Sequence, residues 1–198
     1  MFNVVLEFER KIADFFGAPY AVATDCCTHA VELCLRYKNT SSMSIPKHTY
    51  LSIPMTAIKL SKPFSWIDSR WSEYYYLTDG IYDAAVLWKA NSYIKDSYMC
   101  ISFQHKKHLK LGRGGMILCQ NKSDYKQLKT MSYDGRDLNI SPWPTQNVSN
   151  VGYHYYMTPE TAQLGLEKLW DAINTKAVIG TYIDYPDISK MSVFNDFK

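Results

Sequence analysis

The sequence contains no apolar run near the roughly 20 residues that cross a bilayer, so it offers no membrane segment. It also lacks a basic-then-apolar leader; acidic residues begin at Glu7. No C-x-x-C pair suggests zinc, and no metal ligand set stands out. The five cysteines, Cys26, Cys27, Cys34, Cys100 and Cys119, are odd in number and lie in apolar stretches, which argues against a disulfide framework. Charge of one sign is scarce as well. The formal net charge is +3, too small to imply a nucleic-acid partner. There are no internal repeats and no low-complexity tract. These absences point to a protein of the reducing cytoplasm, without membrane or nucleic-acid partners.

Hydrophobic residues make up 46% and charged residues 21%, the balance of an ordinary soluble domain. Aromatics reach 15%, with 16 Tyr, which fits half-buried strands and helix faces or a binding surface. Val5, Phe8, Ile12, Phe15 and Phe16 recur at helical spacing, and Gly17 and Pro19 end that helix. A short apolar strand follows over 20–23, then a helix opening at 25–28 and running to about Tyr37. Brief strands are expected at 44–46 and 64–67, with a helix near 50–60 between them. Residues 69–78 are aromatic and carry no clear period. Residues 81–87, 98–103 and 115–119 read as buried strands, and 123–130 as a helix. A Pro-, Asn- and Ser-rich loop spans 133–151, a length often functional or directed to a partner. Thr158-Pro159-Glu160 then supplies an N-cap, a first-turn proline and a dipole-complementing acid for a last helix. Alternating strands and helices imply an α/β layered domain with a mostly parallel sheet.

The chemistry-bearing residues cluster after strands. The strand at 98–101 runs into Ser102-Phe103-Gln104-His105-Lys106-Lys107, and Gly112-Arg113-Gly114-Gly115 follows. Read alone, this is a basic turn between two strands. Cys27-Thr28-His29-Ala30 sits where a strand meets a helix N-terminus, the usual place to hold a phosphate, although Thr28 also suits an ordinary N-cap. Pro46-Lys47-His48-Thr49-Tyr50 puts an aromatic at a helix start, as a stacking face or a core residue. Tyr82-Asp83-Ala84-Ala85 leaves a carboxylate at the end of a buried strand, where an unpaired charge is costly and a partner is needed. Gly152-Tyr153-His154-Tyr155-Tyr156-Met157 adds a histidine able to donate to a phosphate or to sit at an interface.

Taken in order, these segments resemble the DegT/DnrJ/EryC1/StrS family of sugar aminotransferases, over about residues 8–169. The resemblance implies pyridoxal 5′-phosphate as cofactor and a three-layer sheet like a truncated large domain of a fold-type-I aminotransferase. It makes residues 1–198 a single cofactor-binding domain, with the family's C-terminal small domain absent. Lys107 matches the lysine to which the family attaches its cofactor, and Asp83 the carboxylate on the pyridine nitrogen. Tyr50 matches the ring-stacking aromatic. Cys27, Thr28, His29 and Ser102 match the phosphate-binding positions. His154 matches the segment that relatives extend into a neighbouring subunit. A homodimer with shared sites is therefore expected, moving an amino group from a donor such as glutamate to a keto sugar nucleotide.

Departures from the pattern favour an alternative, a non-catalytic relative acting as a binding or partner subunit. Val86 replaces a Gln or His, Arg113 an acid, Tyr156 an Arg, and Cys27 a Gly. Replacing glycine strains the backbone if φ there is positive. Between Ile67 and Ile81 the chain is also too short for an extra strand and helix of the family.

Overall fold

The computed structural model describes residues 2–140 and 142–197. Helix α1 (Asn3–Phe16) buries Val5, Phe8, Ile12, Ala13 and Phe16 along one stripe and stops at Gly17, whose φ of 74° forms a left-handed cap. The chain continues through β1 (Tyr20–Thr24), α2 (Cys27–Tyr37), β2 (Met43–Pro46), α3 (Ser52–Lys59) and β3 (Phe64–Ile67). Then come β4 (Tyr75–Thr78), β5 (Ile81–Asp83), β6 (Tyr98–Ser102), β7 (Gly115–Cys119), α4 (Lys122–Ser132) and α5 (Pro159–Asn174). The start of α5 is as the sequence predicts: the Thr158 hydroxyl accepts from the Thr161 N–H, with Pro159 in the first turn.

The main sheet has the order β1-β7-β6-β5-β4, and β2 and β3 form a separate parallel pair. The expectation of a mostly parallel sheet is corrected here. The sheet is mixed, and only β5–β6 is parallel among its four pairings. The cause is connection length. A parallel neighbour needs a crossover of roughly a dozen residues or more, usually helical. β4 and β5 are joined through Asp79 and Gly80 alone, both with positive φ (46° and 77°), so the two strands form an antiparallel hairpin. The strand expected over 81–87 accordingly ends at Asp83.

Alternation along the strands splits the core into two clusters, one on each face of the sheet. Ala21, Ala23, Met99, Ile101, Met116 and Leu118 pack with Phe8, Ile12, Ala162 and Leu169 of α1 and α5. Val22, Cys100, Ile117 and Cys119 pack with Val31, Leu35 and Leu128 of α2 and α4. Gly165 lets α5 approach α1, since a Cβ there would lie 2.6 Å from the Phe8 ring. Cys34, Cys100 and Cys119 are fully buried, as their apolar surroundings suggested. No helix among the described residues is long and apolar enough to cross a membrane.

The segment after α5 folds back over the sheet. The Glu73 N–H donates to the Gly180 carbonyl at 2.8 Å, and the Tyr182 N–H donates to the Trp71 carbonyl at 3.1 Å. Further along, the Ile188 N–H donates to the Lys47 carbonyl at 2.9 Å. Phe194 is fully buried with its ring 5.4 Å from Trp66.

Candidate functional site

β1 and β6 both run antiparallel to β7, and β5 runs parallel to β6, so β1, β5 and β6 end at one edge. Register makes this specific. Thr24, Gly115 and Ser102 form one row across β1, β7 and β6, while Asp83 pairs with Cys100. The β1–α2 turn presses onto that row. A Cβ on Gly115 would lie 2.4 Å from the Cys26 carbonyl carbon and 2.5 Å from the Cys27 nitrogen, so only glycine fits. Cys27 opens α2, and its thiol donates to the Cys100 carbonyl at 3.4 Å. Its φ is not positive, so this residue carries no strain in place of glycine.

Thr28 is the second residue of α2. The helix ladder begins with the Ala30 N–H on the Cys26 carbonyl at 3.1 Å, so the N–H groups of Cys27, Thr28 and His29 precede it. Cys26 caps the helix with no side-chain bond, and its first turn holds no acid. That end can receive an anion. Ser102 is buried at the end of β6, its hydroxyl within 3.4 Å of the Gln104 N–H.

His29 turns aside from this end. It stacks on Tyr155 at 3.6 Å between ring centres and bonds Asp25 at 2.6 Å. Burial pulls its pKa down, but the Asp25 carboxylate overrides this and lifts it from 6.5 to about 9. Arg113 also pairs with Asp25, at 2.7 Å. Burial raises the Asp25 carboxyl, yet these two bonds carry it below its usual value.

Asp83 is 5% exposed at the end of β5. It accepts from the Tyr75 hydroxyl at 2.5 Å and from the Ala85 N–H at 2.9 Å. Burial raises its pKa against the opposing pull of these bonds and of the Lys107 charge. Burial likewise pushes the Cys27 thiol well above its usual value, helped by the Asp83 and Cys100 charges and opposed by Lys107.

Lys107 lies on the 103–114 connection, which returns upon itself. The Phe103 N–H donates to the Gly114 carbonyl at 2.9 Å, and the Lys107 N–H closes a turn on the Gln104 carbonyl at 2.8 Å. Leu109 is buried, and a His108 ring nitrogen donates to the Ala172 carbonyl at 2.8 Å, so α5 anchors the loop. Lys107 is half-buried and Lys106 exposed.

Cys27, Thr28, Asp83, Ser102 and Lys107 therefore converge on one edge of the sheet. Tyr50 lies just before α3 and is 58% exposed. His154 stands apart within one chain: it is exposed, and its ring bonds Asp134 at 3.0 Å. Val86 is covered by the returning segment, because a Cβ on Gly180 would lie 2.7 Å from the Val86 Cβ.

Sequence reasoning missed two neighbours of Asp83. Tyr75 sits opposite it on β4, a strand whose signal was the Asp79-Gly80 dipeptide between apolar runs. Tyr185 comes from the returning segment. Its carbonyl accepts from His48 Nδ1 at 2.7 Å, and its ring centre lies 5.6 Å from Trp71. Burial, with the nearby Asp83 charge, pushes its hydroxyl up to about 12. No local pattern marks Tyr185.

The model of the DegT/DnrJ/EryC1/StrS aminotransferase family matches residues 2–74 and 94–178. The chain belongs to this family. No curated protein matches the sequence. Among solved structures, it is similar to AtS13 from Actinomadura melliaura (17% identity, TM-score 0.74), covering 86% of this chain and 60% of that one. It is also similar to the sugar aminotransferase CalS13 from Micromonospora echinospora (13%, TM-score 0.72), covering 86% and 61%. A third match is the PLP-form of Spr1654 from Streptococcus pneumoniae (15%, TM-score 0.70), covering 86% and 60%. This chain thus spans about three fifths of the length of those proteins.

The family's cofactor is pyridoxal 5′-phosphate. The donor set here suits that group. Asp83 is a buried carboxylate that forms no ion pair among the described residues, and a pyridinium nitrogen is a fitting cation. The free start of α2, set tightly against Gly115, suits a phosphate.

Proposed function

We propose that this chain binds pyridoxal 5′-phosphate and works as an aminotransferase on keto sugar nucleotides. The observation that carries the reading is the buried Asp83 carboxylate, lying within the field of Lys107 and on the same sheet edge as the open start of α2. Bound there, the cofactor would supply an electron sink for breaking the Cα–H bond of an amino acid. Lys107 Nζ would hold the cofactor's aldehyde carbon. Once released, the same amine would take the proton from the donor's Cα and return it to the cofactor carbon, as base and then acid. Asp83 would keep the pyridine nitrogen protonated. Thr28, Ser102 and the N–H groups that open α2, Cys27 and His29 among them, would hold the phosphate, and Tyr50 would cover one face of the ring.

By family likeness the donor is an amino acid such as glutamate and the working form is a homodimer, and the free cysteines fit a reducing cytoplasm. His154, which faces outward in one chain, would reach the site of a second copy. Residues 1–198 would then act as a cofactor-binding domain.

Adding pyridoxal 5′-phosphate to purified protein should produce a new visible absorption band. Borohydride reduction should fix the label at Lys107. A protein that gives no band, or takes the label elsewhere, overturns the reading. A second reading, a non-catalytic partner subunit, is favoured by Val86 lying under Gly180. It predicts cofactor binding without amino transfer, or transfer only after mixing with a full-length relative.

A further inference from the structure

We infer that Tyr75 is a positioning residue that holds the Asp83 carboxylate for the cofactor, through a buried relay running from Thr49 to Tyr75 to Asp83. The inference rests on the function proposed above. Tyr75 and Asp83 lie outside the family match, which stops at residue 74 and resumes at 94, while Thr49 lies within it.

The geometry is specified by the hairpin. Tyr75 and Asp83 face each other in the β4–β5 register. The Tyr75 hydroxyl donates to Asp83 Oδ2 at 2.5 Å and is bonded on its other side to the Thr49 hydroxyl. All three residues are buried, with Thr49 at 2%, Tyr75 at 7% and Asp83 at 5% exposure. Proton counting gives the chain a direction. A phenol has one proton, and an ionised carboxylate only accepts. While Asp83 is charged, Tyr75 donates to it, and Thr49 must donate to Tyr75. A carboxylate offers about four acceptor positions. Tyr75 and Ala85 take one on each oxygen, which leaves room for a further donor such as a pyridinium N–H.

The relay opposes the cost of burial. Burial favours the neutral acid, and the Tyr75 bond favours the charged one. The other titratable groups facing Asp83 are Lys107 from the β6–β7 connection, Cys27 from α2, Cys100 from β6 and Tyr185 from the returning segment. Of these only Lys107 also favours the carboxylate. A neutral Asp83 could not keep the pyridine nitrogen protonated, so the relay sets the pH range over which the site can work.

The test has two arms. Without cofactor, the carboxylate carbon of Asp83 is followed by NMR in aspartate-labelled protein, assigned with Asp83→Asn. Tyr75→Phe should raise its titration midpoint by about one unit or more. Thr49→Val should raise it less, and Thr49→Ser should leave it at the wild-type value. With pyridoxal 5′-phosphate, Tyr75→Phe should weaken binding about tenfold for each unit gained at pH values below both midpoints, and less as pH rises above them. Should Tyr75→Phe fail to fold by circular dichroism, the Thr49→Val and Thr49→Ser pair decides. Unchanged midpoints in Tyr75→Phe and Thr49→Val overturn the relay. Shifted midpoints in a protein that binds no cofactor overturn the functional reading instead.

Discussion

On the β1–β7–β6 side of the site, backbone packing does the positioning; on the β5–β4 side, side-chain hydrogen bonds do. The first side is a turn packed so closely on Gly115 that a Cβ there would lie 2.4 Å from it, leaving the start of α2 open. The second is a hairpin whose Tyr75 grips Asp83, with the Gly180 segment laid over Val86. The family match follows the same division: Thr28 and Lys107 fall inside it and Asp83 falls outside. Two rims of one site can therefore be built by different means. A close backbone contact tolerates almost no change, whereas a hydrogen-bonded carboxylate can be re-supported by a new strand.

The comparison can be broken most sharply at the lysine between the two sides. Lys107→Ala should abolish the cofactor absorption band, while Lys106→Ala, at an exposed position, should keep it. Equal loss in both variants would remove Lys107 from the site. Gly115→Val probes the packed side. Its side chain meets backbone on every approach, so it should cost about 3 kcal/mol or more in chemical denaturation. A neutral result would show that the turn can give way. Gly80→Ala probes the hairpin, where φ is 77°, and should cost about 1–2 kcal/mol, a smaller penalty than at Gly115. If the two penalties came out in reverse order, the division between the sides would be wrong.

The smallest effect concerns pH at the α2 start. His29 has its pKa raised from 6.5 to about 9, so its bond to Asp25 stabilises fully below pH 6.5. That contribution is lost as pH rises through about 9. Asp25 is shifted the other way, so its share is present above its unfolded value and fades as pH falls below it. The pair is partly exposed and should be worth about 1 kcal/mol or less. Melting curves of wild type and Asp25→Asn should differ most near pH 6 and draw closer above pH 9, by roughly that amount, where only the Arg113 pairing of Asp25 remains. A constant gap at every pH would deny the pairing.

The elements around Thr28 and Lys107 were legible because their signals are local. Helix α1 shows its stripe, α5 its Thr158 cap, and β6 and β7 their apolar runs. β4 was not, since its aromatic residues carry no clean alternation, although Asp79-Gly80 marked the turn beside it. The misjudged sheet direction has the same root. Counting strands does not tell which way they run, while the two-residue connection did carry that information.

By itself, then, the order of residues determined most helices and strands, though not β4 or the end of β5, and which side chains could carry the chemistry. Periodicity, caps and turn residues act over a few neighbours, so the chain encodes them locally. The tertiary structure alone decided that Tyr75 meets Asp83, that His29 turns to Asp25, and that Tyr185 returns to the sheet from the far end of the chain. Tyr185 joins the site from a position distant in sequence, whereas Tyr75–Asp83 and His29–Asp25 are eight and four residues apart and take these orientations once two apolar clusters close on opposite faces of the sheet.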